Sequence, residues 1–276
     1  MLKSAFFDSI KNFFQANSVP PVELNSPPGQ PQPTVIEKIK MENLEDMQSS
    51  FVSMAAHELR TPLTAIKGYL SVFLNDYKDS LNDDQKSLLN HIGTSTEQLL
   101  VLVNNLLSVS KIERGTLNLS PVGISLVDLV RQITDDYRSR AVQKNIDLKF
   151  LPPQGEIAKV SADKIRISEV ISNFISNAIS YTDANGKVVT WVEQIGKEVM
   201  VHVADNGQGI PKEAILRLFT KFYRVKESSL TQKNQQGNGL GLYISKAIID
   251  MHRGKIWANS ELGKGSVFSF SLPVFG

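Results

Sequence analysis

The chain is predicted to be multidomain, α followed by α+β. A helical hairpin dimerises into a four-helix bundle, and an α/β sandwich follows it. Three observations predict this. Apolar residues recur at three- and four-residue spacing from about Thr34 to Glu113, with one polar interruption. From Leu117 onward, short valine-rich runs with glycine turns alternate with helical stretches. Finally, 276 residues with 41% hydrophobic content suffice for about two domains with cores of their own.

Composition narrows the function classes. A net charge of +2, with no basic block, argues against nucleic acid as a partner. The absence of cysteine removes disulfides, thiolate metal sites and cysteine nucleophiles together, and fits a reducing compartment. No apolar run approaches the ~20 residues that span a bilayer. The expectation is a soluble, cytoplasmic chain.

Residues 1–33 read as an amphipathic N-terminal segment and a Pro-rich linker. Phe6, Phe7, Ile10, Phe13 and Phe14 fall mostly on one helical face, with Lys3, Asp8 and Lys11 among the others. Such a helix can lie on a membrane surface as a peripheral contact. A docking helix, or the remnant of a longer protein, stays open beside that reading. Charges interrupt the apolar run and no small-residue cleavage site follows, so a signal peptide does not fit. Ser18 to Pro33 holds six of the twelve prolines and reads as an extended linker.

Residues 34–115 read as a coiled-coil lead-in and a hairpin. Leu44, Met47, Phe51 and Met54 form a seam, with Ile36 and Ile39 one residue out of phase, so the seam drifts from strict heptads. The first helix runs to about Asp76 through Leu59, Leu63, Ile66, Leu70 and Phe73. After a polar turn from Asn75 to Asp84, a second helix runs to about Glu113, with Leu88, Ile92, Leu99, Leu102, Val103, Leu106 and Leu107 as its apolar face. One hairpin cannot cover both of its apolar faces, so two chains are expected to pair. A monomeric hairpin packed on the next domain is the other solution.

Residues 116–276 read as helices near Leu126–Lys144, Asp163–Ser180 and Leu240–His252. Strands fall near Asp147–Leu151, Lys187–Gln194, Glu198–Ala204, Lys255–Asn259 and Ser266–Leu272. Helices carried on a mostly antiparallel sheet make an α+β sandwich.

Five short motifs carry chemistry. The first is Phe51-Val-Ser-Met-Ala-Ala-His57-Glu58-Leu-Arg-Thr61-Pro62-Leu63. It sets a histidine, an adjacent carboxylate and, one helical turn on, a hydroxyl into a run with helical spacing. Imidazole serves as a nucleophile without a strong activating device. The zinc-protease pattern His-Glu-x-x-His fails, because Thr61 occupies the second histidine position. Second, Asn173 and Asn177 stack at i and i+4 on one helix face; taken alone, such a pair is more often a polar face. Third, Asp205-Asn206-Gly207-Gln208-Gly209-Ile210-Pro211 ends a valine-rich strand. It is either a base-reading carboxylate with glycines turning closely around it, or an ordinary strand-to-helix turn with Pro211 at the first helical position. Fourth, Phe219-Thr-Lys-Phe222-Tyr223-Arg224 leads into an aperiodic polar stretch to about Gln236, which reads as a mobile lid or as a plain surface loop. Fifth, Gly237-Asn238-Gly239-Leu240-Gly241-Leu242 opens a helix, where backbone N–H groups and the helix dipole favour phosphate. It matches neither the P-loop nor the dinucleotide spacing. A closing Gly263-Lys264-Gly265-Ser266-Val-Phe268 precedes the last strand.

In this order and at these spacings, the motifs from about Met47 to Pro273 resemble the sensor histidine kinases of two-component systems. The second half is also similar to the wider ATPase superfamily that includes gyrase and Hsp90. Those relatives lack the preceding hairpin. The resemblance implies that ATP binds in the second domain and that its γ-phosphoryl passes to His57, with Glu58 orienting the ring and accepting its proton. It implies a nucleotide site of Asn173, Asn177, Tyr181, Asp205, Gly207, Gly209, Arg224, Gly237, Gly239, Gly241 and Leu242. Within that site Asn177 binds Mg²⁺, and Asp205 and Tyr181 contact adenine. Phosphohistidine then serves an aspartate on a response-regulator receiver domain. No receiver pattern is visible in this chain, so that partner acts in trans. Thr61 stands where family members orient water to dephosphorylate the regulator, which implies a phosphatase as well as a kinase.

Pro62 removes the helical partner of the Glu58 carbonyl and loosens the helix beside His57: a hinge, or a tolerated kink. One departure from the family is Ser180, where a lysine often stands; Lys221, Lys226 and Lys233 are candidates to compensate. Ser180 leaves open a second reading, an ATP-switched dimeric scaffold with weak or no kinase activity. His91, His202 and His252 read as structural or solvated. The stretch before the hairpin is shorter than an ordinary sensor domain. Input is therefore expected through a partner, a membrane contact or a region outside this chain.

Overall fold

The structure is a computed structural model that describes residues 35–77, 79–225 and 238–275, with side chains from Met54 onward. The N-terminal segment, the linker and most of the lid stretch lie outside these residues, as do the side chains of the early seam. The chain divides into two compact units, Met1–Leu44 and Glu45–Gly276. Among the described residues the first contributes only opening turns of α1, and the second holds all else.

Helix α1 spans Val35–Asp76 and carries Pro62 inside it. Helix α2, Asp83–Glu113, starts with a full capping box. Asn82 accepts from the Gln85 N–H, and the Gln85 side chain returns to the Asn82 N–H. Across the hairpin, Ala56, Val103 and Leu107 are buried with Leu63 and Leu106 packed against them. Arg60 donates to the Asn104 amide at 2.6 Å, and Lys67 pairs with Glu97 at 3.0 Å. That small cluster uses only part of the apolar surface. Leu59, Ile66, Phe73, Leu88, Ile92 and Leu99 stay exposed on the hairpin of a single chain.

The last turns of α2 join a different core. Val109 belongs to the large cluster of the α+β region, and Leu106 and Ile112 pack against it. Glu113 then forms an ion pair with Lys221.

The elements beyond α2 are β1 (Val122–Ile124), α3 (Leu126–Asp136), α4 (Arg138–Gln143), β2 (Asp147–Leu151), β3 (Val160–Ala162) and α5 (Lys164–Tyr181). They are followed by β4 (Lys187–Ile195), β5 (Glu198–Asp205), α6 (Lys212–Ile215), α7 (Gly241–Met251), β6 (Lys255–Glu261) and β7 (Gly265–Pro273). The main sheet has the order β2-β4-β5-β7-β6. Only the β2–β4 pair is parallel among its neighbours, and the rest are antiparallel, as expected. Strands β1 and β3 form a second, two-stranded antiparallel sheet.

Alternation along the strands decides which face is covered. Val188 and Val192 of β4, Val199, Val201 and Val203 of β5, and Phe268, Phe270 and Leu272 of β7 are buried in one cluster with α3, α5 and α7. Phe174 of α5 sits 5.4 Å from Phe268 and 6.2 Å from Phe270, ring to ring. On the opposite face His202 stacks on Trp191 at 4.7 Å, meets the edge of Trp257, and bonds Ser269 at 2.7 Å.

The helix expected over Leu126–Lys144 is two helices. The backbone leaves the α-ladder at Tyr137, after Asp135 and Asp136, which are poor helix formers, and the turn lets Ala141 bury completely. The short strands β1 and β3 were not anticipated; three residues are too few to show a period. Pro211 stands one residue earlier than expected, as the N-cap of α6 rather than its first residue. His252 is buried rather than solvated. It accepts the Asp163 N–H at 2.9 Å through Nε2 and donates from Nδ1 to the Ile248 carbonyl at 2.7 Å, which fixes one neutral tautomer.

Candidate functional site

Helix α5 supplies one wall. Its N-cap Asp163 accepts from the Ile165, Arg166 and Ser120 N–H groups. Burial acts to raise the Asp163 carboxyl, but these donors outweigh it and hold the group below the usual carboxylate range. At the other end, Lys144 donates to the Ile179 and Ser180 carbonyls at 2.8 and 2.7 Å, where a cation also complements the helix dipole. Desolvation pushes Lys144 below its ordinary value. Between these fixed ends the helix presents Asn173, Asn177 and Tyr181.

Asn173 lies against Gly241 and donates to Ser245 at 3.0 Å, so its amide braces the start of α7. Asn177, one turn on, is half-buried, and Tyr181 is exposed. Ser180 turns its hydroxyl back onto the Ser176 carbonyl at 2.7 Å. Of the candidate substitute lysines, Lys221 is engaged with Glu113, which raises its ionisation range. Lys226 and Lys233 lie outside the described residues.

The end of β5 forms the floor. Asp205 is buried, and burial pushes its carboxyl up to about 6 against the pull of the Gly207 and Ser266 N–H groups. The Gly207 N–H donates to its Oδ1 at 2.9 Å. Gly207 is glycine for a steric reason: a Cβ there would lie 2.2 Å from the Tyr181 carbonyl oxygen and 2.9 Å from the Asp205 carboxylate. Gly209 has φ +70, and its Cβ would meet the Glu261 carbonyl oxygen at 2.0 Å, so the loop after β5 and the end of β6 approach backbone to backbone. Ser260 ties the β6–β7 turn together, donating to the Gly265 carbonyl at 2.8 Å and accepting the Ile210 N–H at 2.8 Å.

Gly239 rests on the backbone of Phe222 and Tyr223. Leu242 is half-buried and packs against the core, and Arg224 is exposed. Gly237 lies outside the described residues. The structure thus brings α5, the β5 end, the Phe222 segment and the N-terminus of α7 together. His57, Glu58 and Thr61 stand exposed on α1, on the separate hairpin.

Sequence reasoning overlooked Lys144 and Ser260. Lys144 comes from another element, and nothing local marks it.

Comparison with known proteins fits this geometry. Residues 162–275 match the family model of histidine kinase-, DNA gyrase B- and HSP90-like ATPases. Residues 47–115 match the His Kinase A phospho-acceptor domain. With both halves matched in this order, the chain belongs to the sensor histidine kinase family.

Among its relatives is the sensor histidine kinase RcsC of Escherichia coli, 35% identical over 254 residues, covering 88% of this chain and 26% of RcsC. WalK of Bacillus subtilis is 31% identical, covering 87% of this chain and 39% of WalK. The non-motile and phage-resistance protein of Caulobacter vibrioides is 36% identical, covering 86% and 28%. The chain thus spans well under half the length of these relatives. Full-length ShkA in complex with AMPPNP superposes with a TM-score of 0.66 at 28% identity, over 82% of this chain and 46% of that one. ThkA in complex with the response regulator TrrA gives 0.54 at 28% identity, over 89% and 68%.

Proposed function

We propose that the chain is an ATP-dependent protein-histidine kinase that autophosphorylates on His57 and passes the phosphoryl group to an aspartate of a response regulator. The observation that carries this reading is Asp205, a buried carboxylate at a strand end walled by α5 and the close glycine turns, in a chain that also bears an exposed His57-Glu58 pair on a helix. The organisation that goes with it is an N-terminal segment and linker over 1–33, a dimerising hairpin over 34–115 and a catalytic domain over 116–276.

The ionised Asp205 accepts a hydrogen bond from the adenine amino group, and Tyr181 covers the base. The N-terminus of α7 faces the phosphates with free N–H groups, because the first turn of any helix leaves its donors unpaired. Arg224 and the segment after it add positive charge. On the hairpin, His57 attacks the γ-phosphorus through a ring nitrogen while Glu58 holds the tautomer and takes the proton, and ADP leaves. Among the described residues no cluster of three acidic or imidazole side chains forms an all-protein metal site. The half-buried Asn177 amide offers one hard oxygen that would suit Mg²⁺ shared with phosphate oxygens. When bound, that ion neutralises phosphate charge.

Thr61, one turn from His57 on the same face, is the water-orienting residue of a phosphatase activity. A Thr61→Ala chain should still autophosphorylate but fail to dephosphorylate the regulator. No helix among the described residues is long and apolar enough to cross a membrane. Peripheral contact through residues 1–33 remains a separate proposal, tested by vesicle binding with and without them.

The test is the chemistry of the label taken up from γ-labelled Mg-ATP. Acid-labile, alkali-stable label is expected, as for phosphohistidine. ATP binding with no label would support the alternative of an ATP-switched scaffold, which the back-bonded Ser180 and the occupied Lys221 favour.

A further inference from the structure

The carbonyls of a helix's last turn have no helical N–H left to accept, so they need partners from elsewhere. Many helices supply them by turning the next residue left-handed, which folds the following N–H groups back. Helix α5 does not. Its C-cap, Thr182, is extended at φ −98° and ψ 133°, and the chain leaves the helix at once. Downstream N–H groups go to other partners: Asn185 to the Asn145 carbonyl at 2.7 Å, Gly186 to the Asp183 carbonyl at 3.0 Å, and Lys187 to the Asn206 side chain at 2.7 Å. Two outside donors serve the helix end instead. The Lys144 ammonium takes the Ile179 and Ser180 carbonyls, and the Gln208 N–H takes the Tyr181 carbonyl at 3.3 Å. Gln208 lies in the turn after Asp205, between Gly207 and Gly209. Tyr181 is therefore held from both sides, by Lys144 through the residue before it and by the Asp205 turn through its own carbonyl.

Lys144 is itself fixed in place. It is the C-cap of α4, and the Asn145 and Ile146 N–H groups fold back onto the Val142 and Ala141 carbonyls at 2.9 and 2.8 Å. Asn145 is left-handed at φ 56°, as such a turn requires. The Asp147 N–H then donates to the Gly186 carbonyl at 3.0 Å, so the α4–β2 turn is stitched to the α5–β4 turn by main-chain bonds in addition to the lysine. Burial disfavours the charge on Lys144, and Asp183 favours it. A left-handed cap on α5 would satisfy the same carbonyls without desolvating an ammonium, but it would swing the chain off its extended course into β4.

We infer that Lys144 is a positioning residue of the nucleotide site, fixing the last turn of α5 so that Tyr181 stands beside the Asp205 turn. The inference rests on the proposal that Tyr181 and Asp205 contact adenine. Lys144 acts through Tyr181 and touches no nucleotide itself. Without its ammonium the Ile179 and Ser180 carbonyls turn to water and the last turn frays, as helix ends do when no cap holds them. Tyr181 is already exposed and has little side-chain packing to hold it there. Nucleotide binding then has to reorder the turn, at a cost in affinity.

The experiment measures equilibrium ATP binding in the full chain, well below the melting temperature, for Lys144→Met, Lys144→Arg, Tyr181→Ala, the Lys144→Met and Tyr181→Ala double variant, and Asp205→Asn. Lys144→Met should weaken ATP about fivefold to tenfold. Lys144→Arg keeps the charge and can set one N–H on each carbonyl, so it should bind within about twofold of wild type. In the Tyr181→Ala background the Lys144→Met loss should shrink below about twofold, because the side chain it positions is gone. Wild-type ATP affinity in folded Lys144→Met, with a lower melting temperature alone, would make Lys144 a residue of stability and overturn the inference. A Lys144→Met chain unfolded at the assay temperature would do the same. So would an equal loss with and without Tyr181, or an arginine variant as weak as the methionine one. Wild-type ATP affinity in both Asp205→Asn and Tyr181→Ala would instead overturn the adenine contact on which the inference rests.

Discussion

In the proposed site, Asp205 ties stability to binding. Burial raises its carboxyl to about 6, above the ordinary carboxylate value. The folded state therefore holds this proton more tightly than the unfolded chain does. Stability from this group is present at low pH and is lost as pH rises through the folded value. Nucleotide binding runs the other way, because only the ionised form accepts from the adenine amino group. ATP affinity should fall as pH drops below about 6, and Asp205→Asn should bind weakly with that pH dependence removed. Titration calorimetry across pH 5 to 8 would check both; a flat wild-type profile would contradict the assignment. At this scale the sequence was legible where a residue sits in a spaced motif, as Asp205, Gly207 and Gly209 do. Lys144 was illegible, because its hold on the end of α5 comes from an element distant in sequence.

Elements were legible in proportion to the length of their period. The long helices α1, α2 and α5 and the strands β2, β4, β5 and β7 fall within a few residues of expectation, since each repeats its pattern several times. The break at Tyr137 was not legible. Apolar spacing continues across it, and only burial of Ala141 demands the turn. Asp163 is the single residue that holds the α5 start, the Ser120 backbone and the His252 ring in one network. Asp163→Ala should cost about 1–2 kcal/mol from loss of the cap alone. Chemical denaturation would read this as a lower midpoint with an unchanged slope. Because the Asp163 carboxyl is held below its ordinary value, its contribution should be present near neutrality and disappear as pH falls through the folded value.

At the scale of the whole molecule, the hairpin poses the question of assembly. Leu59, Ile66, Phe73, Leu88, Ile92 and Leu99 are exposed, far more contiguous apolar surface than a lone hairpin leaves in water without cost. We propose that a second copy covers it in a four-helix bundle. Ile66→Glu combined with Ile92→Glu should convert the dimer to a monomer in light scattering while the α+β region still binds ATP. A persistent dimer would place the interface elsewhere. The exposed apolar stripe was legible in the sequence, whereas the docking of Val109 and Ile112 into the second core was not. Those residues continue the same helical period and carry no mark of a change of partner.

The measurement that tests the central claim most directly is label incorporation from γ-labelled Mg-ATP into three purified chains: wild type, His57→Ala and Asp205→Asn. The account predicts label in wild type, none in His57→Ala even though it binds ATP as wild type does, and a strong reduction in Asp205→Asn that follows its weakened ATP binding. Label that persists in His57→Ala would contradict it, because the phosphoryl group would then reside on another residue.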